Sequence, residues 1–340
     1  MTATKEINVS KQFSTAMRTC SWLSAVLIVC IHAYNIEVYG SQNPVLYWVQ
    51  QVISQGLARG AVPFFMLSSA YFLYSRERTT GAVYLSRAKS TVVPYLLWNA
   101  VYMIAFAVLY RLSLVSNGMA RVTVRDLLLG VFLHKYNYTF WFMRDLIVLI
   151  ALFPMIKWVL KRGKWVSLIG IAGAIAAFCF VHEVFESLIY YYIGAWLGFH
   201  AKEQTEAVVT VKRSRLWGIT AALLCVGAVC FALRNGCGLT WMEAPRNFAM
   251  ALILFFAVVS ADLRVGVLLT GVSFMIYALH PLVLEMIEKA MYLALPHNDL
   301  FMMASYVAAP TLCVVLITGA CLLWKTWLPK VYGVFNGGRA

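Results

Sequence analysis

Five side chains place an ionisable group inside strongly apolar sequence: His32, Arg59, Asp145, His280 and Glu285. Each falls within a run long and apolar enough to cross a bilayer. Ionisable groups are costly there and normally face a bundle interior or a water-filled cavity, pairing with one another. Imidazole, guanidinium and carboxylate at that depth can exchange a proton or line a path for a polar solute. At about 1.5 Å per helical residue, His32, Asp145 and Glu285 fall some five or six residues inside one surface, with Arg59 and His280 nearer the midplane. One arrangement is a polar cavity, open on that side and floored by Arg59 and His280. The other is a set of separate structural ion pairs, with His32 a satisfied interfacial histidine.

The element that must carry His32 is the stretch MRTCSWLSAVLIVCIHAYN, residues 17–35. On a helix, Arg18 and His32 lie within about 40° of one face and roughly 21 Å apart along the axis. The stretch would hold a cation at one membrane surface and an imidazole towards the other.

The whole composition agrees with a membrane setting. Of 340 residues, 62% are apolar and 12% charged, which excludes an ordinary soluble domain. The net charge of +14 does not point to nucleic acid, because the basic residues sit in short clusters between apolar runs. Most of the eight cysteines lie inside those runs without a CxxC pair, so they read as buried filler. No two histidines have metal-ligand spacing, so no metal is expected, and His134, His182, His200 and His297 read as surface or interfacial. The first apolar run is too long for a cleavable signal peptide, and no small-residue cleavage motif follows it.

Runs near 18–38, 45–74, 91–111, 139–160, 165–181, 185–200, 215–233, 246–260, 266–290 and 302–324 predict an all-α, polytopic integral membrane protein with about ten transmembrane helices. With the N-terminus inside, 19 Lys and Arg fall in inner segments and 8 in outer ones, so both termini are expected in the cytosol. Residues 1–16 read as a cytosolic tail or an interfacial helix, 329–340 as a cytosolic tail, and 17–328 as one transmembrane domain. A very tight outer turn is expected at 181–185, with His182 and Glu183. Two irregularities stand out. Gly56, Gly60 and Pro63 predict a kinked or broken second span, which a membrane tolerates where protein or a polar cavity satisfies the freed backbone. The stretch 112–138, with Arg121, Arg125, Asp126, His134, Lys135 and Tyr136, is a long segment on the outer side, a length that is often functional.

The order of blocks resembles the acyltransferase-3 superfamily of multi-pass membrane acyltransferases. VLIVCIHAYN is similar to that family's first helix with its histidine, and RGAVPFFMLSSAYFLYSR to its second. SRAKSTVVPYLLWNAVY resembles the basic run followed by a Pro-Tyr and tryptophan pattern, and YTFWFMRDLIVLIALFPMI the helix with Trp-Phe and Arg-Asp. YYYIGAWLG and SFMIYALHPLVLEMI match later blocks, so the resemblance spans nearly the whole chain. Two positions depart from the pattern. Ser21 stands where relatives have an arginine, the nearest being Arg18 one turn earlier, and Ser69 replaces a glycine. Many relatives carry a C-terminal soluble esterase-like domain; none is read here, so the activity is expected within the membrane part.

The resemblance implies transfer of an acyl group, usually acetyl, from cytosolic acyl-CoA to a hydroxyl on an envelope glycan, lipid or small acceptor. It implies a bacterial plasma-membrane location, acyl-CoA as donor substrate and no tightly bound cofactor. His32 is then the general base, with Glu285 or Asp145 to orient it and Arg59 to stabilise the oxyanion. Arg18, Arg76, Arg78, Arg87 and Lys89 would meet the coenzyme A phosphates, and Trp141, Arg144 and His280 the acceptor. Trp98 and Tyr95 read as belt or packing residues. No Ser or Cys occupies an obvious nucleophile position, so direct transfer is expected. A transporter or flippase for a lipid-linked glycan or acylated metabolite is the competing reading, since a broken helix and mid-membrane charges suit it too.

Overall fold

A computed structural model describes residues 3–112, 123–180 and 182–339. Arg121 lies outside the described residues, as do the side chains of Cys179, His182 and Glu183. The chain is all-helical, with no strand among the described residues. Val9–Tyr39, Thr80–Arg111, Arg213–Cys237, Thr240–Ser260 and Asp299–Trp327 are long and apolar enough to cross a membrane; the pair interrupted at Leu152 makes a sixth. The remaining predicted spans also fall on helix, among them Ala61–Tyr74, Lys164–Phe180, His182–His200 and Ser273–Ala294. The chain groups into two compact units, Met1–Glu77 with Pro154–Thr318, and Arg78–Phe153 with Gly319–Ala340.

In the first unit the N-terminal helix runs unbroken from Ala3 to His32, so residues 3–16 form its opening turns. The reason is a stripe at helical spacing within polar sequence. Phe13, Ala16, Met17 and Cys20 bury one face against Phe64, Tyr71 and Ala251. At its other end the helix stops earlier than the apolar run implies. His32 is its last residue, and Ile36–Tyr39 forms a short separate turn. Ser54 Oγ donates to the Cys30 carbonyl at 2.6 Å, satisfying one of the acceptors that a helix end leaves open. The buried Asn35 exchanges two hydrogen bonds with Gln50 and donates to Ser305 Oγ at 2.9 Å.

The predicted break in the second span is present. Its chain passes from a π-helical turn, Gln51–Gly56, through a 3-10 turn, Leu57–Gly60, into the Ala61–Tyr74 helix. Gly60 is needed by close approach: a Cβ there would stand 2.5 Å from the Met250 carbonyl carbon and 2.6 Å from the Ala251 nitrogen. The unwound turn is thus pressed against the Glu243–Ser260 helix. A second close approach uses Gly194 and Gly198, which rest on the backbone at Leu67 and Tyr71. Small residues four apart let two membrane helices approach in this way.

In the second unit, residues 123–138 are not an open loop. They contain the helix Val124–Phe132, opened by a capping box between Thr123 and Asp126. Asn99 Nδ2 and Tyr95 Oη donate to the Val131 and Phe132 carbonyls and tie this helix to Val93–Arg111. The C-terminal stretch is likewise a docked element. The helix Pro329–Phe335 buries Tyr332, and the buried Trp98 donates through Nε1 to the Phe335 carbonyl at 3.2 Å. Tyr95 and Trp98 are therefore packing residues.

Candidate active site

Two histidine rings of the first unit pack against each other at a tilt. His32, ending the first helix, and His280, on Ser273–Ala294, have ring centroids 5.2 Å apart and planes 34° apart. The sequence His280–Pro281 sets the second imidazole. Proline has no N–H, so the Tyr277 carbonyl, four residues before it, loses its usual helical donor. His280 Nδ1 fills that place at 2.7 Å. The bond puts the proton on Nδ1 and leaves Nε2 with a lone pair. His280 is fully buried, and its Nε2 has no hydrogen-bond partner among the described residues.

Arg59 stands on the unwound turn and lies within electrostatic reach of the His32 imidazole. Its guanidinium is oriented by a neutral group: Nε donates to Gln55 Oε1 at 3.0 Å, and Nη2 donates to the same oxygen. Around it the fold gathers Arg234, Arg246, Glu186 and Glu243. Arg234 pairs with Glu243 at 2.6 Å. Arg246 is 4% exposed and, like Arg59, is held by an amide, donating from Nε and Nη2 to Asn247 Oδ1 at 3.0 and 2.9 Å. Asn247 Nδ2 in turn donates to Glu186 Oε1 at 2.9 Å, which also accepts from Tyr190 Oη at 2.6 Å. Arg246 is one of the 8 basic residues that the charge distribution assigns to outer segments, and nothing in the sequence singles out Glu186, Tyr190 or Asn247.

The remaining first-unit candidates lie apart from this cluster. Arg18 is exposed and donates to Thr15 Oγ1 at 3.4 Å, one turn back towards the N-terminus. Glu285 pairs with Lys289 at 3.4 Å, is more than half exposed, and sits about 140° around the helix from His280. The carboxylate on the buried stripe of that helix is Glu288, whose Oε1 is buried without a hydrogen-bond partner among the described residues. The buried series Tyr277, Pro281 and Leu284 leads on to 288 rather than 285. Arg76 is exposed beyond the end of Ala61–Tyr74.

The second unit holds the other candidates. Arg144 donates from Nε and Nη2 to Asp145 Oδ1 at 2.9 and 2.7 Å, and both residues lie within electrostatic reach of His134. His134 Nδ1 is 3.4 Å from Tyr95 Oη. Trp141 begins the Trp141–Ala151 helix and is 40% exposed. Arg78 and Arg87 are half-buried and Lys89 is exposed. Arg339 of the C-terminal stretch, absent from the sequence-based candidates, lies within electrostatic reach of Arg87. No group of three or more His, Cys, Asp or Glu among the described residues could hold a metal.

A lone pair on a buried imidazole, a second imidazole beside it and a guanidinium within reach can accept a proton and stabilise developing negative charge. A family model described as an acyltransferase domain matches residues 22–325. No curated protein and no solved structure matches the chain.

Proposed function

The chain belongs to the acyltransferase-3 family and is an acyl-transferring enzyme of the membrane; from that premise we propose that it carries an acyl group, acetyl in the first instance, from cytosolic acyl-CoA to a hydroxyl on an extracytoplasmic envelope glycan, lipid or small acceptor. In this reading the chain passes the bacterial plasma membrane ten times, with both termini in the cytosol. The observation that carries the site assignment is the His32–His280 pair with Arg59 in reach. The acceptor oxygen attacks the thioester carbonyl while His32 takes its proton. Arg59 stabilises the oxyanion, a contact that contributes about 3 kcal/mol in a dry site. Collapse breaks the C–S bond, and the departing CoA thiolate takes the proton from the imidazolium. His280 Nε2 accepts a hydrogen bond from an acceptor hydroxyl.

Glu285 and Asp145, expected to orient His32, have partners in Lys289 and Arg144; the ring of His280 packs beside His32 and orients the acceptor hydroxyl instead. Arg76, Arg78, Arg87 and Lys89 are assigned to the CoA phosphates, with Arg18 at the entrance to the donor path and Trp141 and Arg144 on the acceptor side. The test is thiol release from acetyl-CoA by the purified protein with envelope acceptors. His32→Ala is expected to abolish acceptor-dependent release while the unfolding temperature stays put. Near-normal turnover of that variant overturns the assignment.

A further inference from the structure

Arg59 and Arg246 share an arrangement that a folded protein rarely leaves unanswered. Each guanidinium is held by a side-chain amide oxygen, Gln55 or Asn247, and neither has a carboxylate within 4.0 Å among the described residues. They are neighbours by construction. Gly60, beside Arg59, packs onto Met250 and Ala251, and Arg246 lies one turn before Met250 on the same helix. Of the surrounding charges, Arg234 and Glu243 neutralise each other. That leaves two cations against Glu186, whose Oε1 is already taken by Tyr190 and Asn247. Among the described residues the cluster carries one positive charge in excess, and an unpaired charge at such a place is costly. Guanidinium donors in a fixed fork match the oxygens of a carboxylate or phosphate.

We infer that Arg246, with Arg59 beside it, binds a single negative charge on the acyl acceptor, a carboxylate or a phosphate oxyanion. The inference rests on the acyl-transfer reading and narrows its acceptor to an anionic one. A neutral sugar or alcohol would leave the excess charge buried and unmatched. A singly charged acceptor balances it and brings a neighbouring hydroxyl towards His32.

Binding and transfer test the two levels separately. Thermal unfolding of the purified full chain, without acyl-CoA, is followed with three probes: methyl glucoside, the methyl glycoside of glucuronic acid, and a methyl phosphodiester of glucose, the last two carrying one negative charge each. The uronide, the phosphate or both should stabilise wild type at concentrations where the neutral glycoside does not, and which one does so identifies the anion. Arg246→Gln should weaken that stabilisation by about 10- to 100-fold in apparent affinity, the range for a lost charge-assisted bond. Arg246→Lys, which keeps the charge but not the planar fork, should fall between the two, and it carries the test if Arg246→Gln does not fold. Equal stabilisation by neutral and anionic sugars, or by the uronide or phosphate in wild type and variant alike, overturns the inference. Acetyl transfer to the same panel reads the underlying function: anion-selective binding without transfer would keep the subsite and reject the reaction.

Discussion

Arg213 and Arg264 share the carboxylate of Asp262 at 3.3 and 3.0 Å in a cleft of about 450 Å³ that Lys11 and Thr15 also line. Their side chains are 66% and 64% exposed. Arg59 and Arg246, in the same unit, are turned the other way: less accessible, anchored by amides, and without a carboxylate within ion-pair distance among the described residues. Arginines in water pair directly with a carboxylate, gain little from it and are screened by salt. Buried arginines held by an uncharged oxygen keep their charge for whatever enters. The arginines that set the candidate cluster apart are the two without a carboxylate in ion-pair distance among the described residues, Arg59 and Arg246.

The largest effect is expected at Arg59. Arg59→Gln should lower the turnover number by about 10²- to 10³-fold, the usual cost of an oxyanion donor, with a much smaller change in the KM for acyl-CoA. A rise in KM at constant turnover would instead make it a donor-binding residue. Gly60→Ala comes next. The added methyl must push the unwound turn away from Met250, at about 1–3 kcal/mol, read as a lower unfolding temperature together with lost transfer. A stable but inactive Gly60→Ala protein would sharpen the comparison further, since only the spacing of Arg59 and Arg246 would have changed.

Asp262→Asn belongs to the exposed side and should move stability by less than about 1 kcal/mol, with transfer intact. The smallest effect is expected at Asp126, on the helix Val124–Phe132 that the sequence reading puts outside the spans. Lys135 and Thr123 hold its carboxyl well below the usual carboxylate range. Its contribution is present above that range and is lost as pH falls through the depressed value. Protection of the Val124–Phe132 amides against hydrogen exchange, relative to their intrinsic rates, should therefore be flat near neutrality and fall only in strong acid. Asp126→Asn should remove that acid dependence.

The break at Gly56, Gly60 and Pro63 was legible because backbone chemistry is local: those residues weaken a helix wherever it lies. His32, Arg59 and His280 were legible because a titratable group in apolar sequence is conspicuous by type. Arg246 was not, because a basic residue in the first turn of a span looks the same whether it faces water or the bundle. Only the approach of Gly60 to Met250 turns that first turn inwards. Glu285 drew attention ahead of Glu288, although the stripe through Tyr277, Pro281 and Leu284 reaches only the latter. The polar letters of residues 3–16 likewise obscured Phe13 and Ala16, whose spacing carries the first helix on towards its N-terminus. The partners of Glu285 and Asp145 sit four residues and one residue away, so local pairing competes with any long-range role.

The missing amide hydrogen of Pro281 has a consequence for insulation. A membrane enzyme with imidazoles in its bundle must not become a wire, because ions leaking through it would discharge the gradient the cell lives on. A histidine conducts only by taking a proton on one nitrogen and releasing one from the other. At His280 the second nitrogen is committed to the Tyr277 carbonyl, an acceptor that proline leaves free and that cannot pass a proton on. The ring is a terminus. In the proposed transfer, a proton taken up by His32 finds no onward path through His280, and it leaves with the departing thiol.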